Sequence, residues 1–188
     1  QIEAIILPKT QSFDFLATLA PMIDFKNKLV PLIETSRAIE TVTQIAAFKD
    51  VVGLFFGAAD ASASLGCKLA WEPLLYARQR VVLAASMFNL FTIDAPYFYI
   101  DKMAGLKEEA EAVKNLGFTG KAAIHPDQID HINEAFSPTS EEKAEAKKVL
   151  EEYQKSGGGA IKVDGQMIDE PIAEAMRLKI TLGEDEKD

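Results

Sequence analysis

The stretch Leu29-Val30-Pro31-Leu32-Ile33, which ends in Glu34, decides the fold class together with a second apolar run at 51–56. Short apolar runs rich in Val, Ile and Phe, separated by helical patterns, are typical of buried parallel strands. Asp60 follows the second run after the small residues 57–59. Because parallel strands present their carboxyl ends at one edge, where α/β enzymes place their chemistry, both acidic residues are expected at that edge.

Two converging carboxylates would bind a hard divalent cation, and Mg²⁺ completed by substrate oxygens and water is the natural candidate. Glu34 and Asp60 are the residues that would hold it. The residues alone leave a structural alternative equally open. In that alternative Glu34 caps a helix that begins near Thr35, and Asp60 caps a helix that begins near Ala61.

Length, composition and charge limit the class of protein. The chain has 188 residues and 48% hydrophobic residues, which is enough for one globular domain with a sizeable core. Its net charge of -9 argues against a nucleic-acid partner, because no net basic field attracts phosphates. The single cysteine, Cys67, fits a reducing compartment. The sequence shows no membrane span and no signal pattern, so a cytoplasmic protein without a membrane partner is expected.

Strand and helix patterns alternate along the chain, which predicts an α/β fold with a parallel sheet. The strands are predicted at 2–7, 29–33, 51–56, 91–95 and 121–124. The main helices are predicted at 12–20, 36–48, 73–88, 106–116, 140–155 and 171–179, with Ser140 opening its helix without a full capping box. An open doubly wound sheet and a closed barrel both fit this alternation. The sequence lacks the phosphate-binding motif Gly-x-Gly-x-x-Gly, which weakens the interpretation as a nucleotide-binding open sheet.

Six motifs resemble the citrate lyase β-subunit-like family of aldolases and lyases, in the family's order and over nearly the whole chain. They are Ile6-Leu7-Pro8-Lys9, Leu32-Ile33-Glu34-Thr35, Phe56-Gly57-Ala58-Ala59-Asp60, Gly117-Phe118-Thr119-Gly120-Lys121-Ala122-Ala123-Ile124-His125-Pro126, Ala135-Phe136-Ser137-Pro138 and Met167-Ile168-Asp169-Glu170-Pro171. The resemblance implies a (β/α)₈ TIM barrel whose first three strands, including one that carries a substrate-binding arginine, have no counterpart here. Residues 1–155 would then form about the last five β/α units, and residues 156–188 a C-terminal cover segment.

The resemblance also implies an activity. The family's lyases use Mg²⁺ to cleave a 3-hydroxyacyl-CoA thioester, of the citramalyl-CoA, malyl-CoA or citryl-CoA type, into acetyl-CoA and an α-keto acid. Carried over by motif, Glu34 and Asp60 would hold the metal, and Glu34 would also contact the substrate. The turn Gly57-Ala58-Ala59 would hold the substrate carboxylate on its N–H groups. CoA thioesters, α-keto acids and further copies of the chain, as a trimer or hexamer, are the implied partners.

Asp169 is the implied catalytic residue. In family members with a C-terminal cover, an aspartate in this motif reaches the active site of a neighbouring subunit and exchanges the proton on the acetyl carbon. The structural alternative is that Asp169 caps the final helix, with Pro171 in its first turn.

Two other functions remain open from the sequence. One is a pyruvate-type aldolase that acts on unactivated hydroxy acids. The other is an inactive barrel fragment that serves as an assembly partner. Finding the three missing strands upstream in the gene would eliminate the inactive fragment.

Overall fold

The computed structural model describes residues 3–23, 28–157 and 159–181. The chain divides into two compact units, Gln1–Ile132 and Asn133–Asp188, and each has its own core. The helix at 140–155 therefore groups with the segment that follows it. The functional division into a barrel part, 1–155, and a cover, 156–188, stays a prediction.

The first unit contains one parallel sheet, as the alternating pattern predicts. Its strands are β1 (Ile5–Leu7), β2 (Leu29–Ile33), β3 (Gly53–Phe56), β4 (Phe91–Asp94) and β5 (Gly120–Lys121). They pair in chain order, so each strand lies beside the next one along the sequence. Strands that are consecutive in the chain usually lie beside each other in a sheet, and this order follows that tendency. Within the described residues, β1 pairs only with β2 and β5 only with β4, which leaves one free edge on each.

Helices connect and cover these strands. They are α1 (Phe13–Leu19), α2 (Ser36–Glu40), α3 (Val42–Ala46), α4 (Ala58–Leu65), α5 (Trp71–Ser86) and α6 (Met103–Leu116), and α7 (Ile129–Phe136) crosses the division between the units. Short 3₁₀ turns occupy Ala20–Met22 and Pro126–Gln128.

The core of the first unit lies where apolar strand residues meet apolar helix faces. Leu54 and Phe56 of β3, and Leu74 and Val81 of α5, are completely buried. Burying each large apolar side chain stabilises the fold by about 1.5–3 kcal/mol. The apolar runs that predicted the strands are therefore the inner layer of this core.

The predicted helix at 36–48 is wrong in one respect, because the chain forms two short helices that meet at Thr41. The Thr41 hydroxyl donates to the carbonyl oxygens of Arg37, at 2.9 Å, and Gln11, at 3.1 Å. Bonds of a threonine hydroxyl to backbone carbonyls compete with regular helix geometry and bend helices. The predicted strand at 121–124 is also displaced, since β5 is the pair Gly120–Lys121.

Two helix ends test the capping arguments. Gly117 ends α6 with a left-handed φ of 102°, as its position after the apolar pattern predicts. The prediction that the helix near Ser140 has no full capping box is wrong. Thr139 is the N-cap of the next helix, and Thr139 and Glu142 bond each other's backbone N–H groups reciprocally.

The second unit contains α8 (Ser140–Lys155), β6 (Ile161–Val163), β7 (Gln166–Ile168) and α9 (Glu170–Thr181). The sequence after residue 159 predicts one short strand-like piece, whereas in the structure β6 and β7 form an antiparallel hairpin. Asp164 and Gly165 both have positive φ values, of 48° and 89°, which suits a two-residue hairpin turn. The core comprises Val149, Leu150, Tyr153, Val163, Ile168 and Ala173.

The run Ser156-Gly157-Gly158-Gly159 predicts a flexible break from its composition. Gly158 lies outside the described residues, so this stays a prediction. Across the described ranges, none of the helices combines the length and the apolar character that crossing a membrane requires.

Candidate active site

Glu34 lies directly after β2 and is 3% exposed. Its Oε1 atom accepts a hydrogen bond of 2.7 Å from the backbone N–H of Lys9. The cap of α2 is Thr35, whose side chain accepts from the Ala38 N–H at 3.1 Å. The capping interpretation of Glu34 is therefore wrong, and its buried carboxylate needs another explanation.

Gly57 joins β3 to α4 and lies against Glu34. Its N–H donates to the carbonyl oxygen of Ile33 at 3.0 Å, which ties the turn to the end of β2. A Cβ atom on Gly57 would lie 2.6 Å from the Glu34 Cβ, closer than real side-chain contacts allow. Only glycine at this position leaves Glu34 where it is.

The helix α4 begins at Ala58, earlier than predicted, so Asp60 lies inside its first turn. Asp60 is therefore not the cap of a helix that begins near Ala61, and that interpretation is wrong. The first intrahelical bond runs from the Ala61 N–H to the Gly57 carbonyl oxygen, at 2.9 Å. N–H groups ahead of the first such bond have no partner within the helix and favour an anion.

The ammonium group of Lys9 contacts both carboxylates. Its Nζ atom lies 2.5 Å from Asp60 Oδ1 and 3.7 Å from Glu34 Oε1. The two oxygens are therefore no farther apart than these two distances combined. The hydrogen bond that the Lys9 ammonium donates to Asp60 is the main cause of the raised Lys9 pKa, and the charge of Glu34 adds to it.

This arrangement fits a magnesium ion. Both carboxylates already face a single positive charge, the Lys9 ammonium group, and they offer the hard oxygen atoms that Mg²⁺ prefers. Among the residues that the structure describes, no three His, Cys, Asp or Glu side chains gather to hold a metal. Two carboxylates are sufficient for Mg²⁺, which keeps several waters and completes its shell with substrate oxygens.

Asp169 lies in the second unit, immediately before α9. Its Oδ1 atom accepts from the Ile172 N–H at 3.3 Å, and its carbonyl oxygen accepts from the Ala173 N–H at 2.9 Å. These are the bonds of a helix N-cap, so the structural alternative describes what Asp169 does in this chain. Its catalytic role stays a prediction.

The sequence analysis missed a buried charged cluster beside the site. Asp94, at the end of β4, accepts from Arg78 Nε and from Lys121 Nζ, both at 2.8 Å. Lys121 Nζ also donates to Glu109 Oε1 at 2.7 Å. Asp94 ends an apolar strand as Glu34 does, so the same signal could have found it. Lys121 ends β5 in the structure, but the strand predicted at 121–124 begins there, so its position at a strand end was not predicted.

The parallel sheet and the carboxylates after β2 and β3 define an α/β protein in which two acidic side chains share one ammonium group at the carboxyl edge of the sheet. Residues 1–126 match the family described as HpcH/HpaI aldolase/citrate lyase. The chain belongs to this family, and the resemblance drawn from the six motifs is confirmed.

Two named relatives show how similar the sequences are and how much of each chain matches. The mitochondrial citramalyl-CoA lyase of Homo sapiens is 33% identical over 204 residues, which cover 95% of this chain and 59% of the relative. A citrate lyase subunit beta-like protein of Mycobacterium tuberculosis is also 33% identical, over 89% of this chain and 62% of the relative. The chain therefore spans about three fifths of the length of these curated relatives.

Solved structures are similar as well. The crystal structure of RipC from Yersinia pestis has a TM-score of 0.72 and 41% identity, and the match covers 76% of this chain and 67% of RipC. CitE from Mycobacterium tuberculosis, in complex with magnesium, acetoacetate and coenzyme A, has a TM-score of 0.84 and 32% identity. That match covers 96% of this chain and 68% of CitE.

Proposed function

We propose that the protein to which this chain belongs is a Mg²⁺-dependent carbon–carbon lyase that cleaves a 3-hydroxyacyl-CoA thioester. The observation that carries the proposal is the convergence of Glu34 and Asp60 on one cation position at the carboxyl edge of the sheet. The related CitE, which was solved with magnesium, acetoacetate and coenzyme A, supports the choice of ligands.

We propose further that the sheet is an arc of a (β/α)₈ barrel. Its strands follow one another in chain order without the reversal of a doubly wound sheet, which supports this choice. In that arrangement three more strands close the barrel between the free edges of β1 and β5.

The chemistry follows from the residues around the cation position. When bound, Mg²⁺ would act as a Lewis acid on substrate oxygens and orient them. Glu34 and Asp60 would hold the ion. Of the turn Gly57-Ala58-Ala59, the N–H groups of Ala58 and Ala59 would receive the substrate carboxylate, because the Gly57 N–H is already bonded to the Ile33 carbonyl oxygen. Gly57 keeps the Glu34 carboxylate in this position, because any side chain at residue 57 would strike Glu34.

Cleavage breaks the bond between the hydroxyl-bearing carbon and the carbon next to the thioester. The hydroxyl proton leaves to a base, and the electron pair that it leaves on the oxygen forms the C=O bond of the keto group. The electron pair of the broken C–C bond moves into a thioester enolate. A proton delivered to the enolate carbon then gives acetyl-CoA. We propose that Asp169 from a neighbouring copy supplies this proton, which requires a homo-oligomer in which the segment that carries Asp169 covers a neighbour's site.

Citramalyl-CoA, malyl-CoA and citryl-CoA share the hydroxy acid and the thioester that this site requires. The relatives named above support the first and third types without fixing the choice. A cytoplasmic location is part of the proposal, although one relative is named as mitochondrial.

An activity assay on the full-length protein tests the proposal. The three thioesters and their free hydroxy acids are incubated with and without Mg²⁺, and the keto acid is quantified. We expect Mg²⁺-dependent cleavage of at least one thioester, and its loss in Glu34→Gln. The matched control is Glu40→Gln, an exposed glutamate of α2, which should keep full activity. Cleavage of the free acids alone would indicate an aldolase instead, and no cleavage at all would refute the proposal.

A further inference from the structure

A second feature at the carboxyl edge is the buried guanidinium of Arg78. Arg78 is 3% exposed, and only its Nε–H finds an acceptor among the described residues, namely Asp94 Oδ1 at 2.8 Å. The Nη1 atom is shielded from solvent and has no hydrogen-bond partner within the described ranges. A buried donor without an acceptor costs about 1–3 kcal/mol, so this group requires an explanation.

Aromatic rings hold the guanidinium in place. The Arg78 Cζ atom lies 5.2 Å from the centroid of the Phe56 ring and 4.9 Å from that of Trp71. Contacts of this kind attract a cation without satisfying its N–H groups in the plane of the guanidinium. Arg78 is therefore fixed in position with hydrogen-bonding capacity to spare.

Arg78 borders a cavity of about 60 Å³ whose other walls are mostly apolar or aromatic. Ala58, at the start of α4, lines the same cavity, and Asp60 of the acidic pair lies in the same helical turn. One water occupies roughly 10–15 Å³ on this scale, so the cavity has room for about four or five non-hydrogen atoms.

The charges around the cavity argue against an anionic ligand. Arg78 and Lys121 are balanced by Asp94 and Glu109, which all belong to one bonded cluster. Glu109 itself lines the cavity, so a second negative group would be repelled. An uncharged acceptor with small apolar substituents fits both the free N–H groups and the aromatic walls.

We propose that this cavity binds one uncharged carbonyl group, that of a thioester or an amide, through the Arg78 guanidinium. Its use for the acyl-CoA substrate rests on the function proposed above, since such a substrate carries both kinds of carbonyl. The cavity would place that carbonyl beside the first turn of α4, next to the cation position.

Tryptophan fluorescence can test this inference without magnesium and without any activity. Trp71 is the only tryptophan of the 188-residue chain, and it lies against Arg78. The chain is titrated with S-methyl thioacetate and with N-methylacetamide. Ethyl methyl sulfide, which lacks the carbonyl oxygen, and acetate, which is charged, are titrated in parallel. We expect a saturable change with one or both carbonyl probes and none with the sulfide or acetate.

Three variants decide whether the signal comes from the cavity. Arg78→Lys should weaken the carbonyl probes roughly tenfold or more, because a hydrogen bond from a charged donor is lost. The control is Arg80→Lys, because Arg80 lies two residues along the same helix and donates to the Glu40 carbonyl oxygen. This variant should bind the carbonyl probes as tightly as the unaltered chain does. If Arg78→Lys does not fold, Ala70→Leu decides, since it fills the cavity from an exposed position.

Stronger binding of the thioester or of the amide identifies which carbonyl the cavity prefers, and either result supports the inference. It is overturned if no carbonyl probe saturates, if the sulfide or acetate binds as well, or if Ala70→Leu leaves the titration unchanged. Glu34→Gln should bind the probes normally while abolishing lyase activity. Failure here is therefore distinguishable from failure of the proposed function.

Discussion

At the scale of single residues, the two carboxylates of the site, Glu34 and Asp60, have different surroundings. Glu34 is buried and held by the Lys9 backbone N–H, whereas the Asp60 side chain is 54% exposed. The two carboxylates therefore differ in how far solvent reaches them, and Glu34 is the buried member. Sequence reasoning found both residues from their place after apolar runs, but the contact between Gly57 and Glu34 depends on strand pairing that no local pattern encodes.

Gly57→Ala should weaken Mg²⁺ binding and abolish lyase activity while the protein stays folded. The added Cβ would lie 2.6 Å from the Glu34 Cβ and displace that carboxylate. We expect at least a tenfold loss of Mg²⁺ affinity in calorimetric titration of the full-length protein. Gly120→Ala is the matched control, because a Cβ there meets nothing within 4 Å. Equal Mg²⁺ affinity in both variants would show that the close approach has no role in the site.

At the scale of elements, periodicity predicted most helices and strands but not their ends. β2 matches its predicted range, because an uninterrupted apolar run with β-branched residues has one interpretation in a parallel sheet. The break at Thr41 depends on a hydrogen bond to Gln11, which is 30 residues away in the sequence. The charged cluster of Arg78, Asp94 and Lys121 likewise joins three separate elements, α5, β4 and β5. Contacts between such distant residues cannot be predicted from local sequence patterns.

Thr139→Ala should destabilise α8, because the capping box with Glu142 is lost. Removal of an N-cap side chain costs about 1 kcal/mol. Hydrogen exchange of the α8 amides should accelerate accordingly, by roughly fivefold. Ser140→Ala, one residue later, should change exchange little, since Ser140 lies inside the helix. The reverse order of effects would place the cap at Ser140 after all.

At the scale of the whole molecule, the free edges of β1 and β5 matter most. Exposed strand edges pair with other chains, and natural proteins cover or close them. The chain also spans only about three fifths of its curated relatives, so the activity proposed here belongs to the complete protein.

The 188-residue chain in isolation should associate rather than remain a cooperatively folding monomer. Light scattering coupled to size-exclusion chromatography measures its mass in solution, and denaturant titration measures cooperativity. A stable monomer with one sharp unfolding transition would contradict the barrel arc and favour a self-sufficient open sheet.

Active sites shared between subunits would show in mixtures of variants of the full-length protein. Asp169→Asn should lower turnover by roughly 10²–10⁴-fold, the usual contribution of a general acid or base, with little change in CoA-ester affinity. Mixing it with Glu34→Ala should restore part of the activity, because one subunit keeps the carboxylates and the other keeps Asp169. A mixture that stays inactive although its subunits exchange would contradict sharing, and unchanged turnover in Asp169→Asn would leave only the helix cap.

The most direct measurement of the central claim is a crystal structure of the full-length protein with Mg²⁺ and a short α-keto acid. Our account predicts one octahedral ion with a Glu34 oxygen and an Asp60 oxygen at about 2.0–2.2 Å. It also predicts that the Lys9 ammonium, which faces both carboxylates in the structure described here, has moved away from that position. An ion bound elsewhere, or Lys9 still between the two carboxylates at saturating Mg²⁺, would contradict the account.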